Sequence, residues 1–421
     1  MNLSARSVGE MRRLRYVFDA RSGATPQSNV EEYWGGDIAW ITPEDLGKLV
    51  GREVAATRRR LTAKGFQSCA TALAPVGAIV LSKRAPIGQT AILGIEATCN
   101  QGCFLLTGKE QADERFYYYA LVHLRPLLEV LGRGSTFMEL STDDLRSVRL
   151  PSPKLSSQRV IADYLDLETG RIDGLIAEKE RMLALLNEKR AALITRLVTR
   201  GVDLNVSLRP SDEEWLGDVP ANWSVLRAKG LFREVDIRTT TGEETLLSLR
   251  MGKGLVRHHD VSDKPLETID VVGFKKVEVG QMVINRMRAA SGLIALADQA
   301  GLVSPDYAVF NVLSDDLCME YFLELFKTPL LQAVFRSSSK GLGTGEQGFL
   351  RLYSDAFLSL HFPYPPEDEQ RLIADFIKRE RTEFQMTESL LIRSIDLAKE
   401  RRAALISAAV TGQIPLEEMT E

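Results

Sequence analysis

The chain has 421 residues, of which 44% are hydrophobic and 26% charged, and a formal net charge of −4. This is the composition of an ordinary folded protein with two or three compact units, and no stretch approaches the roughly 18 consecutive apolar residues of a membrane span. The basic first fifteen residues lack the apolar segment of a secretory signal, so we expect a cytoplasmic protein.

Residues 1–153 are predicted to form a first module of mixed α and β structure. Within it, residues 77–84 (GAIVLSKR) are typical of a turn followed by a strand that ends in basic side chains. Residues 34–40 (WGGDIAW) also belong to this module and have no counterpart later in the chain.

A long helix is predicted next, in the region 154–200. Ser156 or Ser157 follows two prolines and can cap the start of a helix. Apolar residues then recur at helical spacing with charged residues between them, over a length of roughly 40 Å. Gly170 and Gly174 are expected to separate a short first helix from this long one.

Residues 201–365 are predicted to contain an ordered linker and a second module. The linker is rich in turn formers and acids, and its tryptophans, such as Trp223, are expected to pack rather than to bind a ligand. In the second module, residues 280–288 (GQMVINRMR) repeat the turn-and-strand pattern of residues 77–84 in different letters. A similar scaffold with different surface residues predicts two modules that recognise two different things.

A long internal repeat ties these regions together. Residues 158–165 (QRVIADYL) align with residues 370–377 (QRLIADFI), and the same offset of 212 carries residues 188–194 (EKRAALI) onto residues 400–406 (ERRAALI). The chain is therefore a tandem duplication, and the region 366–421 is predicted to be a second copy of the long helix.

Each long helix has one apolar stripe, which needs a partner. The two copies are the obvious pair; the alternative is that each stripe packs onto its own module. We therefore predict an α+β fold in which two mixed α/β modules are separated by two long helices that pair as an antiparallel coiled coil, with an internal pseudo-two-fold repeat.

Taken in order, the motifs make the chain resemble, from end to end, the specificity (S) subunit of type I restriction–modification systems. The motifs that carry this resemblance are residues 40–46 (WITPEDL), residues 82–88 (SKRAPIG), residues 100–102 (NQG), the linker at 215–223 (WLGDVPANW) and the two QR-x-IAD helices. The resemblance implies that each module is a target recognition domain that reads one half of a split DNA site. It also implies that the helices space the two halves and bind methyltransferase (M) subunits, and that a nuclease–translocase (R) subunit joins the complex.

Catalytic signatures are missing from the sequence. It contains neither a nucleotide-binding GxxxxGK[ST] loop nor the NPP[YF] signature of an amino-methyltransferase. The GxGxxG pattern at residues 343–348 is not followed by a predicted helix, so a flexible loop is favoured over a dinucleotide site. Cys99 and Cys103 have a loosely metal-like spacing, but without further ligands they are expected to be buried or partly buried thiols. We expect a non-catalytic subunit with no cofactor and no metal.

Base and phosphate contacts require donors and acceptors at the ends of strands and on loops. The candidate DNA-binding residues of the first module are Lys83, Arg84, Gln89, Arg133, Ser135 and Thr136. Those of the second module are Asn285, Arg286, Arg288, Lys340 and Thr344. The run of arginines at residues 58–60 fits either a phosphate contact or a solvated helix face.

The charge distribution favours recognition inside a complex. Residues 1–150 carry 19 basic and 16 acidic side chains, and residues 207–361 carry 17 and 21, so neither module holds DNA by charge alone. The expected partners are double-stranded DNA, two M subunits and an R subunit, with no membrane. The alternatives are a coiled-coil scaffold that binds proteins, and the detached recognition part of a fused restriction–methylation enzyme.

Overall fold

A computed structural model describes residues 10–49, 51–109, 112–132, 139–262, 268–342 and 349–420. Contacts divide the chain into two compact units, which we call unit 1 (residues 1–180 with 392–421) and unit 2 (residues 181–391). Both units contain α and β structure, as the predicted fold class requires. No helix in the described ranges is long and apolar enough to cross a membrane.

Unit 1 contains one large sheet, a smaller sheet against it and a strand pair. Its strands are β1 (Glu10–Arg13), β2 (Phe18–Ser22), β3 (Trp34–Ile41), β4 (Glu53–Val54), β5 (Arg59–Leu61), β6 (Ile79–Ser82), β7 (Thr90–Leu93), β8 (Ala97–Cys99), β9 (Cys103–Gly108) and β10 (Arg149–Ser152). Its helices are α1 (Leu14–Val17), α2 (Pro43–Gly47), α3 (Ala63–Gln67), α4 (Glu114–Gly132) and α5 (Thr142–Ser147), followed by α6 (Leu155–Arg200), which continues into unit 2.

The large sheet of unit 1 has the strand order β2-β9-β6-β7-β4, and the smaller one has the order β5-β3-β8. Strand β6 is apolar on both faces because it lies in the middle of the large sheet, between two layers of core. On one face, Ile79 and Leu81 join the core formed with α4, α5 and the long helices. On the other face, Val80 joins the core between the two sheets.

Unit 2 repeats the central part of this arrangement. Its strands are β11 (Leu208–Pro210), β12 (Asp218–Pro220), β13 (Ser224–Arg227), β14 (Phe232–Val235), β15 (Leu247–Arg250), β16 (Gly254–Arg257), β17 (Lys275–Val277), β18 (Met282–Asn285), β19 (Ile294–Leu296), β20 (Gly301–Val303), β21 (Tyr307–Val312), β22 (Lys340–Leu342), β23 (Phe349–Arg351) and β24 (His361–Tyr364). Its helices are α7 (Ala228–Leu231), α8 (Met319–Phe326), α9 (Pro329–Ser337), α10 (Ser354–Ser359) and the first part of α11 (Glu367–Val410).

The main sheet of unit 2 has the order β14-β21-β18-β19, which matches β2-β9-β6-β7 strand for strand. The turn before β6 and the turn before β18 are both made by a glycine with positive φ, Gly77 at 89° and Gly280 at 86°, a conformation that other residues adopt only with strain. The predicted equivalence of residues 77–84 and 280–288 is therefore present in the fold. The layers around the two sheets differ, because unit 2 has the strand pairs β15-β16 and β17-β20 where unit 1 has β5-β3-β8.

The long helices are longer and more regular than the sequence predicts. Helix α6 has 46 residues and runs without a break through Gly170 and Gly174, so the predicted break is wrong. A glycine costs a helix only about 1 kcal/mol, which packing on either side can offset. The predicted caps are also wrong, because the helix begins at Leu155 and both Ser156 and Ser157 lie inside its first turn.

The linker is ordered and packs through Trp223, as predicted. Trp223 is buried in the core of unit 2, and its Nε1–H donates to Glu369 Oε2 at 2.9 Å, at the start of α11. A buried indole needs such a partner for its one polar atom, so the linker is fixed to the second long helix.

A buried glutamine fixes the start of each long helix to its module. In α6, the Gln158 amide group donates to the carbonyl of Pro153 at 2.8 Å, and its Oε1 accepts from Asp113 N–H at 2.8 Å, just before α4. In α11, Gln370 donates to the carbonyl of Pro365 at 2.8 Å and accepts from Cys318 N–H at 2.9 Å, just before α8. Both side chains are fully buried, so these bonds are not replaceable by water.

Replacing this glutamine should destabilise the unit that contains it. Gln370→Ala leaves a buried carbonyl and a buried N–H without a partner, and we expect the free energy of unfolding of unit 2 to fall by about 2–3 kcal/mol. The measurement is chemical denaturation, with Gln385→Ala, an exposed glutamine in the same helix, as the control. A loss no larger than that of the control would show that the glutamine does not fix the helix.

Candidate nucleic-acid interface

A basic residue follows the end of the central strand in each unit, at the same position of the fold. Lys83 follows β6, and its carbonyl accepts a hydrogen bond from Leu140 N–H at 2.9 Å. Arg286 follows β18, and its carbonyl accepts from Leu352 N–H at 2.9 Å. Two of the predicted DNA-binding residues are therefore equivalent members of the repeat.

In unit 1 this position is part of a small ion-pair cluster. Lys83 Nζ lies 2.8 Å from Glu139 Oε1 and 5.1 Å from the centre of the Phe104 ring, and its side chain is only 13% exposed. Arg84 Nε donates to the other Glu139 oxygen at 2.9 Å but is 50% exposed. Burial alone raises the pKa of Glu139, but hydrogen bonds from Lys83 and Arg84 outweigh it and hold the pKa below its usual value. Arg84 is therefore the more accessible of these two basic side chains.

In unit 2 the equivalent cluster includes an additional, fully buried lysine. Arg286 is 15% exposed, pairs with Glu234 and donates to Ser354 Oγ at 2.9 Å. Lys275 is fully buried beside it, with Nζ 3.6 Å from Glu234 Oε1 and 3.7 Å from Asp236 Oδ1. Burial lowers the pKa of this ammonium group. The charges of this cluster are balanced within the unit.

Of the two amide side chains proposed as DNA contacts, Asn285 has a local role in the fold and Gln89 has a buried oxygen without a partner among the described residues. Asn285 Oδ1 accepts from the backbone N–H groups of Met287 and Arg288 at 3.1 and 3.2 Å, so its oxygen shapes the turn after β18. Gln89 Oε1 is buried and has no hydrogen-bond partner among the residues that the structure describes. A buried acceptor without a partner is costly.

Arg288 and Lys340 have exposed side chains, unlike the largely buried Lys83 and Arg286. Neither forms an ion pair with a described residue. Lys340 lies in β22, opposite Arg351 of β23. The remaining predicted contacts, Arg133, Ser135, Thr136 and Thr344, lie outside the described residues, as does the GxGxxG pattern at 343–348.

A stacked arginine in unit 1, Arg59, belongs to the run at residues 58–60, for which the sequence left a phosphate contact and a solvated helix face open; its stacking was not predicted. The guanidinium carbon of Arg59 lies 3.4 Å from the centre of the Trp34 ring and 5.4 Å from that of Trp40, and the two rings meet edge to face at 5.0 Å. Arg59 lies in strand β5 and not on a helix face, and its neighbour Arg60 is exposed. Alternation along a strand, which places residues 58 and 60 on the face opposite Arg59, could have set Arg59 apart from its neighbours but does not identify Trp34 as its partner.

Polar loops meet at the edge of unit 1 where Lys83 lies. The Lys83 N–H donates to the carbonyl of Gly102 at 2.8 Å, and Lys83 Nζ donates to Ser22 Oγ at 3.3 Å. The exposed Gln101 contacts Thr25 through its side-chain oxygen. These loops pack closely, since a Cβ on Gly23 would come within 2.0 Å of the Cys99 carbonyl oxygen. The edge therefore presents hydroxyl, amide and guanidinium groups on a rigid base.

The described residues hold no group of three or more His, Cys, Asp or Glu side chains that could bind a metal ion. All four cysteines are free thiols, and burial raises the pKa of Cys99 to about 12. Such thiols are poor nucleophiles and poor metal ligands. The polar edge of unit 1 is suited to hydrogen bonding and, through the exposed Arg84, to ion pairing with an anionic ligand.

Comparisons with known proteins give a consistent result. Residues 9–175 match the family model described as type I restriction modification DNA specificity domain. The type I restriction enzyme MjaIX specificity subunit of Methanocaldococcus jannaschii is 29% identical over 220 residues, which are 52% of this chain and 50% of that protein. The EcoR124I/EcoR124II specificity subunit of Escherichia coli is 25% identical over 151 residues, 34% of this chain and 37% of that protein. The matched regions thus span about half, or less, of these relatives.

Solved structures share the fold over nearly the whole chain. A chain from a structure of the type I R-M system, concerned with complex assembly and conformational transition, superposes with a TM-score of 0.67 at 14% identity and covers 96% of this chain and 98% of its own. The HsdS subunit from Thermoanaerobacter tengcongensis gives a TM-score of 0.50 at 15% identity, with 96% and 97% covered. The resemblance that the sequence motifs predict is confirmed.

Removing the Glu139 carboxylate should make the stability of unit 1 less dependent on pH. Because its pKa is lowered in the folded protein, the ionised group stabilises the fold above its ordinary pKa of about 4.5, and this contribution is lost as the pH falls through the lowered value. Glu139→Gln should cost about 1 kcal/mol at pH 7, and the deficit should shrink below pH 4.5. Chemical denaturation at pH 7 and below pH 4.5 measures this loss of stability, with Glu96→Gln, at an exposed glutamate, as the control. A loss of stability that does not change with pH would contradict the assigned pairing.

Proposed function

We propose that this chain, whose residues 9–175 match a type I restriction modification DNA specificity domain, is the DNA-recognition subunit of a type I restriction–modification complex. One observation carries the proposal: the order of the four strands β2-β9-β6-β7, within the matched part of unit 1, recurs in unit 2 as β14-β21-β18-β19. Each module would read one half of a split DNA target, and catalysis would reside in partner subunits.

Different side chains at equivalent positions support two different half-sites. Lys83 and Arg286 occupy the same place in the fold, but one lies in a cluster with Glu139 and the other with Glu234. The Trp34–Arg59 stack of unit 1 lies in the β5-β3-β8 sheet, which has no counterpart among the described strands of unit 2. Since base readout depends on which donors and acceptors reach the major groove, the modules would read different sequences of about 3–5 base pairs each.

The contacts of the long helices support an antiparallel coiled coil as the spacer. In unit 1, Asp173 and Glu180 of α6 pair with Arg402 and Lys399 of α11, and Ile172, Ile176, Ile395 and Ala398 form an apolar cluster. In unit 2, Arg190 of α6 lies 4.0 Å from Glu388 of α11. As the residue number along α6 rises from 173 to 180 to 190, the number of the paired residue on α11 falls from 402 to 399 to 388. This is the pattern of antiparallel packing. A spacer of this kind fixes the length of the unread gap between the half-sites.

The methyltransferase subunits would bind to the exposed apolar residues of the long helices. In unit 1 these residues are Leu167, Leu175, Ile392 and Leu397. In unit 2 they are Met182, Leu185, Leu372, Met386 and Leu390. Because both halves of the repeat carry such residues, two M subunits per chain are expected, and an R subunit would join them. The M subunits would flip the target adenines out of the duplex to reach the reacting nitrogen.

DNA binding by the purified chain, with and without its methyltransferase subunit, tests this function. With a net charge of −4, the chain alone should bind DNA weakly. The complex should bind a bipartite target tightly, with an affinity that falls as salt concentration rises. A protein-binding scaffold would instead show no salt-dependent DNA affinity in either state, and that result would reject the proposal.

Substitution of one exposed arginine should affect one half-site. Arg84→Ala should weaken binding of the complex to the intact target by about tenfold, or about 1.4 kcal/mol. Scrambling the half-site read by unit 1 should then cost this variant less than it costs the wild-type protein, while scrambling the other half should cost both equally. Arg288→Ala should show the reverse pattern.

Arg149→Ala, an exposed arginine of β10, is the control and should bind as the wild-type protein does. Equal sensitivity of the Arg84 variant to both half-sites would contradict independent reading by the two modules.

A further inference from the structure

Each unit has a cavity where its module meets the long helices, and the two cavities occupy equivalent places in the repeat. The cavity of unit 1 has a volume of about 500 Å3 and that of unit 2 about 300 Å3. With the offset of 212, Arg402 corresponds to Arg190, and Asp173 corresponds to Gln385. The two cavities can therefore be compared residue by residue.

The charges that line the cavity of unit 1 are balanced by the chain itself. Arg402 forms two hydrogen bonds to Asp173, at 2.7 and 3.1 Å. Arg52 pairs with both oxygens of Asp166, and the Tyr119 hydroxyl donates to the same carboxylate at 2.8 Å. Each of these two arginines is thus paired with a carboxylate that lines the same cavity, and Asp166 also pairs with Arg115.

In unit 2 the carboxylate that would balance the equivalent arginine is missing. Gln385 stands where Asp173 stands in unit 1, so among the described residues the carboxylate paired with Arg190 is that of Glu388, at 4.0 Å. Arg381, another lining residue, is paired with Glu324. Lys327 also lines the cavity and forms no ion pair within the part of the chain that the structure describes. The lining of this cavity therefore has more cationic than anionic groups.

The shape and surroundings of the cavity indicate the class of ligand. Besides the charged groups, Ala191, Ile194 and Pro329 line it, which gives it apolar walls. Met386 and Leu390, on the same helix as Gln385, are exposed apolar residues. A DNA backbone is recognised by projecting cations on a polar surface, whereas a concave site with apolar walls and an unbalanced arginine suits a protein side chain.

We infer that the cavity of unit 2 receives an acidic side chain of a protein partner, whose carboxylate pairs with Arg190. This deepens the proposed function, on which it rests, by assigning to the methyltransferase subunit a charged contact that only one half of the repeat offers. Unit 1 supplies the same carboxylate from its own Asp173. The two partner subunits would thus bind the two halves of the chain with unequal affinity.

The test places the missing carboxylate in the chain itself. Gln385→Asp reproduces the arrangement of unit 1, so Arg190 would be paired internally and the partner carboxylate would be repelled. Thr387→Asp adds the same charge at another exposed position of the helix, two residues away and therefore on a different face. Isothermal titration of the full-length chain with its purified methyltransferase subunit should show at least tenfold weaker binding at one of two sites for Gln385→Asp, and wild-type binding for Thr387→Asp.

Arg190→Gln should weaken the same site, and thermal denaturation of each free variant checks that it is folded. Equal binding by Gln385→Asp and Thr387→Asp would overturn the inference. A loss of DNA affinity in the free chain, with partner binding unchanged, would also overturn it and would assign the cavity to a phosphate. If the wild-type chain does not bind the methyltransferase subunit at all, the proposed function itself fails, and the inference fails with it.

Discussion

The position of each long helix relative to its own module depends first on one buried glutamine, Gln158 in α6 and Gln370 in α11. Gln158 and Gln370 each bond to a proline carbonyl on one side and to the backbone N–H before α4 or α8 on the other. A buried amide must satisfy both its donor and its acceptor groups, because no water can replace a lost partner. Four equivalent hydrogen-bonding atoms therefore fix, in each unit, the direction in which the long helix leaves its module. The repeated sequence around each glutamine encodes this junction.

The repeat constrains the frame but leaves the charged side chains around it free to differ. The basic residue after the central strand pairs with Glu139 in unit 1 and with Glu234 in unit 2. Likewise, Asp173 balances Arg402 in unit 1 while Gln385 leaves Arg190 without an equivalent partner. Under the proposed function, such differences would let the chain recognise two different half-sites and bind two copies of a partner unequally, on one repeated backbone frame.

Features that depend on local periodicity were predictable from the sequence, whereas long-range pairing was not. The two long helices and the equivalence of β6 with β18 follow from apolar spacing and from the turn glycines. The helix break at Gly170 was wrong because a glycine does not end a helix that is packed on both sides of it. The burial of Lys83 could not be foreseen, since its partner Glu139 lies more than 50 residues away. The Arg59–Trp34 stack depends on a strand pairing that short sequence windows do not reveal.

The central claim, that two modules held by a repeated helix read one split target, is tested most directly by mapping methylated adenines in the DNA of cells with and without this gene. The account predicts that the deletion removes methylation from a single motif made of two short specific halves separated by a gap of fixed length. Unchanged methylation, or the loss of one continuous motif, would contradict it.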